Sequence, residues 1–161
     1  MWTRLVGLAV VAAAGGGAAA DQRITPSGVG DVKLGRAYQA LRSAQLVGRV
    51  RPGCELAPNR RAAPLRAPLV GSVDFTRSSP RKVARIAVRG GATARGVGIG
   101  ATSAAIRAAY PAARFDHSTE EIFGVTLVKV PKGGGGRLEF AVNAETRKVT
   151  VIGVPSIAFC E

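Results

Sequence analysis

Residues Val32-Lys33-Leu34-Gly35 return as Val97-Gly98-Ile99-Gly100, 65 positions later. The same offset sets Ala40 and Leu41 on Ala105 and Ile106, and the strand-like GSVDF of Gly71–Phe75 on the GRLEF of Gly136–Phe140. After one inserted residue, Arg81-Lys82-Val83 meets Arg147-Lys148-Val149, and Ile86 and Val88 meet Ile152 and Val154. A period of this length in 161 residues leaves room for two copies. Each copy is one supersecondary unit whose apolar face is buried by the other. The expected architecture is therefore α+β, in two tandem units of about 65 residues packed as one domain, 21–94 and 95–161.

Each copy reads alike. A short apolar segment ends at Gly35 or Gly100, and a helix follows. Ala37, Leu41 and Ala44 recur at helical spacing in the first copy. In the second, Thr102 or Ser103 caps, Ile106 and Tyr110 form an i, i+4 pair, and Pro111 stops the helix. After a variable middle come two alternating strands. Val73 and Phe75 share one face, with Ser72 and Asp74 on the other; Leu138, Phe140 and Val142 oppose Arg137, Glu139 and Asn143 likewise. Turn-rich stretches at 76–80 and 143–146 close the hairpins. A further strand is expected over Phe123–Val130, joined through Lys132 and the glycines 133–136. Helix packed on antiparallel sheet, twice, is the implied layer structure.

The first 20 residues read as a secretory leader: Arg4, an apolar run over 5–14, then small residues with Ala18 and Ala20 in A-x-A positions. Its apolar run is too short to span a bilayer. Cleavage near Ala20 leaves a secreted or extracytoplasmic chain from Asp21 onward, without Met1 or Trp2. In an oxidising compartment the two cysteines, Cys54 and Cys160, are expected to pair. A loop of that size is worth about 4–5 kcal/mol in the chain-entropy description. Two distant cysteines and the lone His117 do not amount to a metal site.

An apolar-x-apolar-Gly segment (Val32, Leu34, Gly35; Val97, Ile99, Gly100), a short helix through Leu41 or Ile106, and a meandering antiparallel sheet occur twice here. This resembles the β-lactamase-inhibitor-protein-like fold, whose single unit also occurs in small outer-membrane assembly lipoproteins of bacteria. The resemblance implies a binding module for another protein rather than a catalyst. The chain departs from the inhibitors in its somewhat shorter repeats. Past the leader it has two Tyr, five Phe and no Trp, whereas inhibitor faces are rich in aromatic anchors. No binding residue carries over, and β-lactamase inhibition is not implied.

Candidate chemistry is thin. Gly96, Gly98 and Gly100 have G-x-G-x-G spacing rather than the dinucleotide pattern, and no parallel βαβ unit surrounds them. The Lys132–Gly136 run places its lysine before the glycines and a strand after them, which suits a hairpin tip and not a phosphate loop. Asp116, His117 and Ser118 are sequence neighbours, whereas triad members converge from separate segments. No G-x-S-x-G elbow occurs. Asp74 and Glu139 hold equivalent repeat positions; cross-strand pairing with Arg85 or Lys148 accounts for them better than glycoside hydrolysis does. No catalytic residue, cofactor or metal is expected.

The net charge of +13 is concentrated. Residues 56–115 hold eleven Lys and Arg against Asp74 alone, whereas 116–161 net −1. Arg60, Arg61 and Arg66 fall in a Pro/Ala-rich loop. Arg81, Lys82, Arg85 and Arg89 follow on one hairpin as candidate anion-binding residues, Arg85 and Arg89 sharing a strand face. Nucleic acid is not the expected partner of an exported chain with so few stacking aromatics. Two function classes follow: an exported protein-binding or scaffold module, or a basic envelope protein held by anionic polymers or lipid headgroups.

Overall fold

The computed structural model describes residues 22–54, 59–133 and 136–159. The leader expected over 1–20 lies outside them, as does Cys160. In chain order the elements are β1 (Gln22–Thr25), β2 (Gly28–Val29), β3 (Val32–Lys33), α1 (Tyr38–Ser43), β4 (Arg51–Pro52), β5 (Arg61–Pro64), β6 (Val70–Phe75) and β7 (Val83–Gly90). There follow β8 (Ala92–Thr93), α2 (Ser103–Ala109), β9 (Arg114–Asp116), α3 (Glu120–Phe123), β10 (Val125–Gly133), β11 (Gly136–Asn143) and β12 (Val149–Val154).

The fold is α+β, with three short helices and two sheets among the described residues. The large sheet has the order β4-β5-β6-β7-β12-β11-β10-β9, antiparallel throughout. Its two ends run through the chain in mirrored sense and meet at β7–β12, where Val88 faces Ile152 and Ile86 faces Val154. A small sheet of order β3-β2-β1-β8 has β1 and β8 parallel. Among the described residues no helix is long and apolar enough to cross a membrane.

Alternation sets the large sheet's core face. Val73 and Phe75 of β6, Ile86 and Val88 of β7, Leu138, Phe140 and Val142 of β11, and Ile152 and Val154 of β12 are all buried in one cluster. Leu41 from α1, Ile106 from α2, and Ile24, Val29 and Val32 from the small sheet close that cluster from above. Six- and seven-residue helices are not stable alone. Complete burial of Leu41 and Ile106, each worth about 1.5–3 kcal/mol, holds them in place. Aromatic pairs add to this: Tyr38 meets the edge of Phe75 at 5.2 Å, and Tyr110 packs on Phe140 at 5.7 Å between ring centroids.

The entries into α1 and α2 have matching hydrogen bonds. Gly35 N–H donates to the Val83 carbonyl and Gly100 N–H to that of Val149, each at 2.8 Å. Bridges join Ala37 to Lys82 and Thr102 to Lys148. Gly35 and Gly100 have φ of +78° and +83° with open space where a Cβ would stand, so backbone conformation alone selects glycine there. The expected cap is Thr102, whose side chain accepts from Ala105 N–H at 3.3 Å.

Three expectations need correction. Phe123 closes α3, so the strand expected over Phe123–Val130 starts at Val125; Gly124, at φ +65°, ends the helix before it. Arg61 belongs to β5, not to a Pro/Ala-rich loop, because Arg61–Pro64 pair antiparallel with Ser72–Phe75. Glu139 does not pair with Lys148: it stands opposite Gly153 and Lys129.

Candidate binding face

In-register partners share a sheet face. One row therefore crosses the large sheet on the side away from the core: Pro64, Ser72, Ala87, Gly153, Glu139, Lys129, Arg114. Next to it run Ala62–Asp74–Arg85 on one half and Val151–Ala141–Leu127–Asp116 on the other. The two halves of this face are finished differently.

Over the β10–β12 half, residues 155–159 fold back across the sheet. Ile157 N–H donates to Glu139 Oε2 at 2.8 Å, and Phe159 stacks on Phe123 with centroids 4.4 Å apart. Leu127, Ala141 and Val151 are buried although they belong to the side away from the core cluster. Glu139, only 4% exposed, has its carboxylate satisfied by that tail N–H. Gly153 permits the close approach: a Cβ there would stand 2.6 Å from Ile157 and 2.7 Å from the Ser156 backbone.

The β4–β7 half opens into a cleft of about 630 Å³, with Arg51, Arg60, Ser72, Asp74, Arg85, Ala87 and Arg89 along it; Ile157–Phe159 form the far wall, and the cleft reaches under them to Val125, Ala141 and Val151. Asp74 sits between two guanidinium groups. Arg60 donates to its carboxylate, and Arg85, directly opposite in register, lies 3.5 Å from the same oxygen. Arg89 is the extra residue of a β-bulge, since Val70 faces Gly90 and Gly71 faces Val88. Bulges re-aim side chains, and this one adds a cation to the cleft. Among the described residues, four arginines line the cleft against one aspartate.

Of the four candidate anion-binding residues, Arg85 and Arg89 come together in this cleft. Arg81 and Lys82 do not join them; they precede β7, beside the start of α1, where Arg81 accepts from Tyr38 N–H and Lys82 bridges Ala37. Arg51 and the tail went unread in the sequence. The signal for the tail was a lone glycine at an outward strand position followed by Ile157-Ala158-Phe159. Cys54 is half-buried just after β4; no disulfide lies among the described residues, and Cys160 is outside them. No group of three or more His, Cys, Asp or Glu that could hold a metal occurs among the described residues.

The Asp116–Ser118 turn is a local hydrogen-bonded unit. Ser118 donates its hydroxyl to Asp116 at 2.6 Å, while His117 Nδ1 lies 2.6 Å from Glu120 and does not reach the serine. Lys129, at 2.8 Å, together with the Ser118 hydroxyl and N–H, holds the Asp116 carboxyl well below the usual carboxylate range. The Thr126 hydroxyl, and then His117, lower Glu120 in the same sense. Both carboxylates are thereby kept ionised.

A second cleft, of about 950 Å³, opens on the core side, between the small sheet, the exit of α2 and the β10–β11 hairpin. Tyr110 lies in it, with the Arg95 guanidinium 4.9 Å from its ring centroid. Burial pushes the Tyr110 hydroxyl pKa up, and the Arg95 charge works against that rise.

Comparison with known proteins finds no family model, no curated protein and no solved structure that matches this chain.

Proposed function

We propose that the chain is an exported binding module made of two copies of one α+β unit, of the β-lactamase-inhibitor-protein-like kind, which docks an acidic protein segment on the open half of its sheet. The mirrored strand order about β7–β12 supports the two-copy reading. So do the paired bonds Gly35–Val83 and Gly100–Val149 and the paired bridges at Ala37 and Thr102. Export rests on the leader pattern of residues 1–20.

One observation carries the binding reading: half of one sheet face is closed by the chain's own tail, and the adjoining half is a cleft with four arginines against one aspartate. Asp74 pairs with Arg60 and Arg85 and cancels only part of the cleft's positive charge. Arg85 and Arg89 lie four residues apart on β7, on the order of 13 Å. That separation matches carboxylates four residues apart on an extended segment. Ala87 between them leaves a flat floor, and Ile157 and Phe159 offer an apolar wall.

The test is an anisotropy titration with a labelled extended peptide carrying Glu at every fourth position and apolar residues between. We expect saturable binding that weakens with salt. Arg85→Gln with Arg89→Gln weakens it about tenfold or more. Arg137→Gln with Arg147→Gln removes the same charge from exposed positions elsewhere and leaves binding unchanged. Equal loss in both double variants, with equal binding of polyphosphate, would replace this reading with the second one: a basic envelope protein held by anionic polymers through its total charge of +13.

A further inference from the structure

We infer that the cleft on the core side is a binding site for a long-chain carboxylate. Its volume of about 950 Å³ falls within the range of small-molecule sites. Its lining is of two kinds. At the small sheet, Arg23 and Thr93 face each other in register across β1 and β8, and Arg95 follows two residues later; all three line the cleft. The apolar lining comes from Val130 and Leu138 of the hairpin, from Pro111 and Ala113 after α2, and from the largely buried Ile24 and Tyr110.

Among the described residues no carboxylate lines the cleft beside the two guanidinium groups. Arg95 is partly organised in advance: it packs over Tyr110 and donates through Nη1 to the Ala109 carbonyl at 3.3 Å. A guanidinium has five N–H donors, so Arg95 retains donors for a ligand carboxylate. The polar side-chain groups beyond the two arginines are the hydroxyls of Thr25, Thr93 and Tyr110. A sugar or a nucleotide would leave most of its polar groups without partners against this wall, whereas an alkyl chain requires none. An anionic head at the exposed Arg23 and Arg95 and an apolar body along Pro111, Ala113 and Val130 complement this lining.

The experiment titrates the purified protein with a long-chain polyene fatty acid whose fluorescence rises in apolar surroundings, then competes it with three unlabelled compounds. We expect a saturated long-chain carboxylate to displace the probe, the alcohol of the same chain length to be weaker by about tenfold or more, and acetate to have no effect. Arg23→Gln with Arg95→Gln lowers probe affinity by a similar factor. Ala112→Trp, at an exposed position on the cleft's edge, blocks the probe while leaving the melting temperature unchanged. The Arg85→Gln/Arg89→Gln variant, altered on the opposite sheet face, binds the probe as the native chain does, so failure here is distinct from failure of the peptide-docking reading. Equal competition by the alcohol, undiminished binding in Ala112→Trp, or absence of saturable binding would each overturn the proposal.

Discussion

Asp74 and Glu139 are carboxylates at corresponding places on two similar strands, GSVDF and GRLEF, yet they are satisfied in opposite ways. Glu139 accepts a backbone N–H from the tail that covers its half of the face. Asp74 accepts from Arg60 and Arg85 on a half that stays open. The neighbouring residues decide the difference. Val151, Ala141 and Leu127 are apolar and gain from being covered, whereas Ala62, Ser72, Arg85 and Arg89 are mostly polar and remain hydrated without a lid. A sheet face can therefore be completed from within the chain or left for a partner, according to a handful of outward positions.

The largest test of that contrast is Gly153→Val. A side chain there collides with Ile157 and the Ser156 backbone. Denaturant unfolding should show a loss of about 1–3 kcal/mol, typical of overpacking, and limited proteolysis should cut the lifted tail. Next comes Phe159→Ala, which removes the stacked partner of Phe123 from a half-buried site. Its expected cost is about 1–2 kcal/mol by the same measurement, with new binding of an apolar dye where Leu127 and Val151 become exposed. Substitutions on the open half should behave differently. Asp74→Asn removes the charge that Arg60 and Arg85 share. Asparagine keeps an acceptor for Arg60, so the variant should cost about 1 kcal/mol although the pair is largely buried; with one negative charge fewer in the cleft, the acidic peptide should bind roughly threefold tighter or more. A large stability loss in this variant would mean that the two halves depend on their carboxylates alike.

The smallest effect concerns pH. Asp116 has a lowered pKa in the folded chain, chiefly through Lys129, so between its folded and unfolded values the unfolded chain binds more protons. Its contribution is present above the ordinary aspartate range and is lost as pH falls, from about pH 5 downward. Asp116→Asn should flatten the decline of unfolding free energy in acid without changing stability at neutral pH as much as Gly153→Val does. An unchanged acid slope would remove the Lys129–Asp116 pair from the account.

Periodic segments were legible in the sequence, and interruptions of periodicity were not. The strands at 72–75 and 137–143 alternate cleanly in sequence; burial follows that alternation at 72–75, whereas at 138–142 every residue is buried because the tail covers the far side. The second helix carries its cap at Thr102 and its stop at Pro111, and it runs between them. Two-residue strands such as Gly28–Val29, Val32–Lys33 and Ala92–Thr93 have no period to detect and form only because the small sheet assembles over the core. Arg61–Pro64 has a turn-like composition and is extended because β6 pairs with it. At the candidate site, Arg85 and Arg89 could be placed on one strand face by parity, although the bulge that turns Arg89 could not. The tail's path depended on Gly153, whose role is a tertiary contact and leaves no local pattern.

The large sheet ends in two very short strands. Arg51–Pro52 forms one margin, and Pro52 has no N–H to offer; Arg114–Asp116 forms the other, with charged residues at both ends. Margins of this kind resist strand addition, the route by which many sheets recruit peptides and by which exposed sheets polymerise. Growth of the sheet sideways is thus discouraged at both limits. A polypeptide that engages this sheet has to lie on its face, reading side chains rather than extending the hydrogen-bond ladder, and its sequence rather than its backbone decides whether it stays.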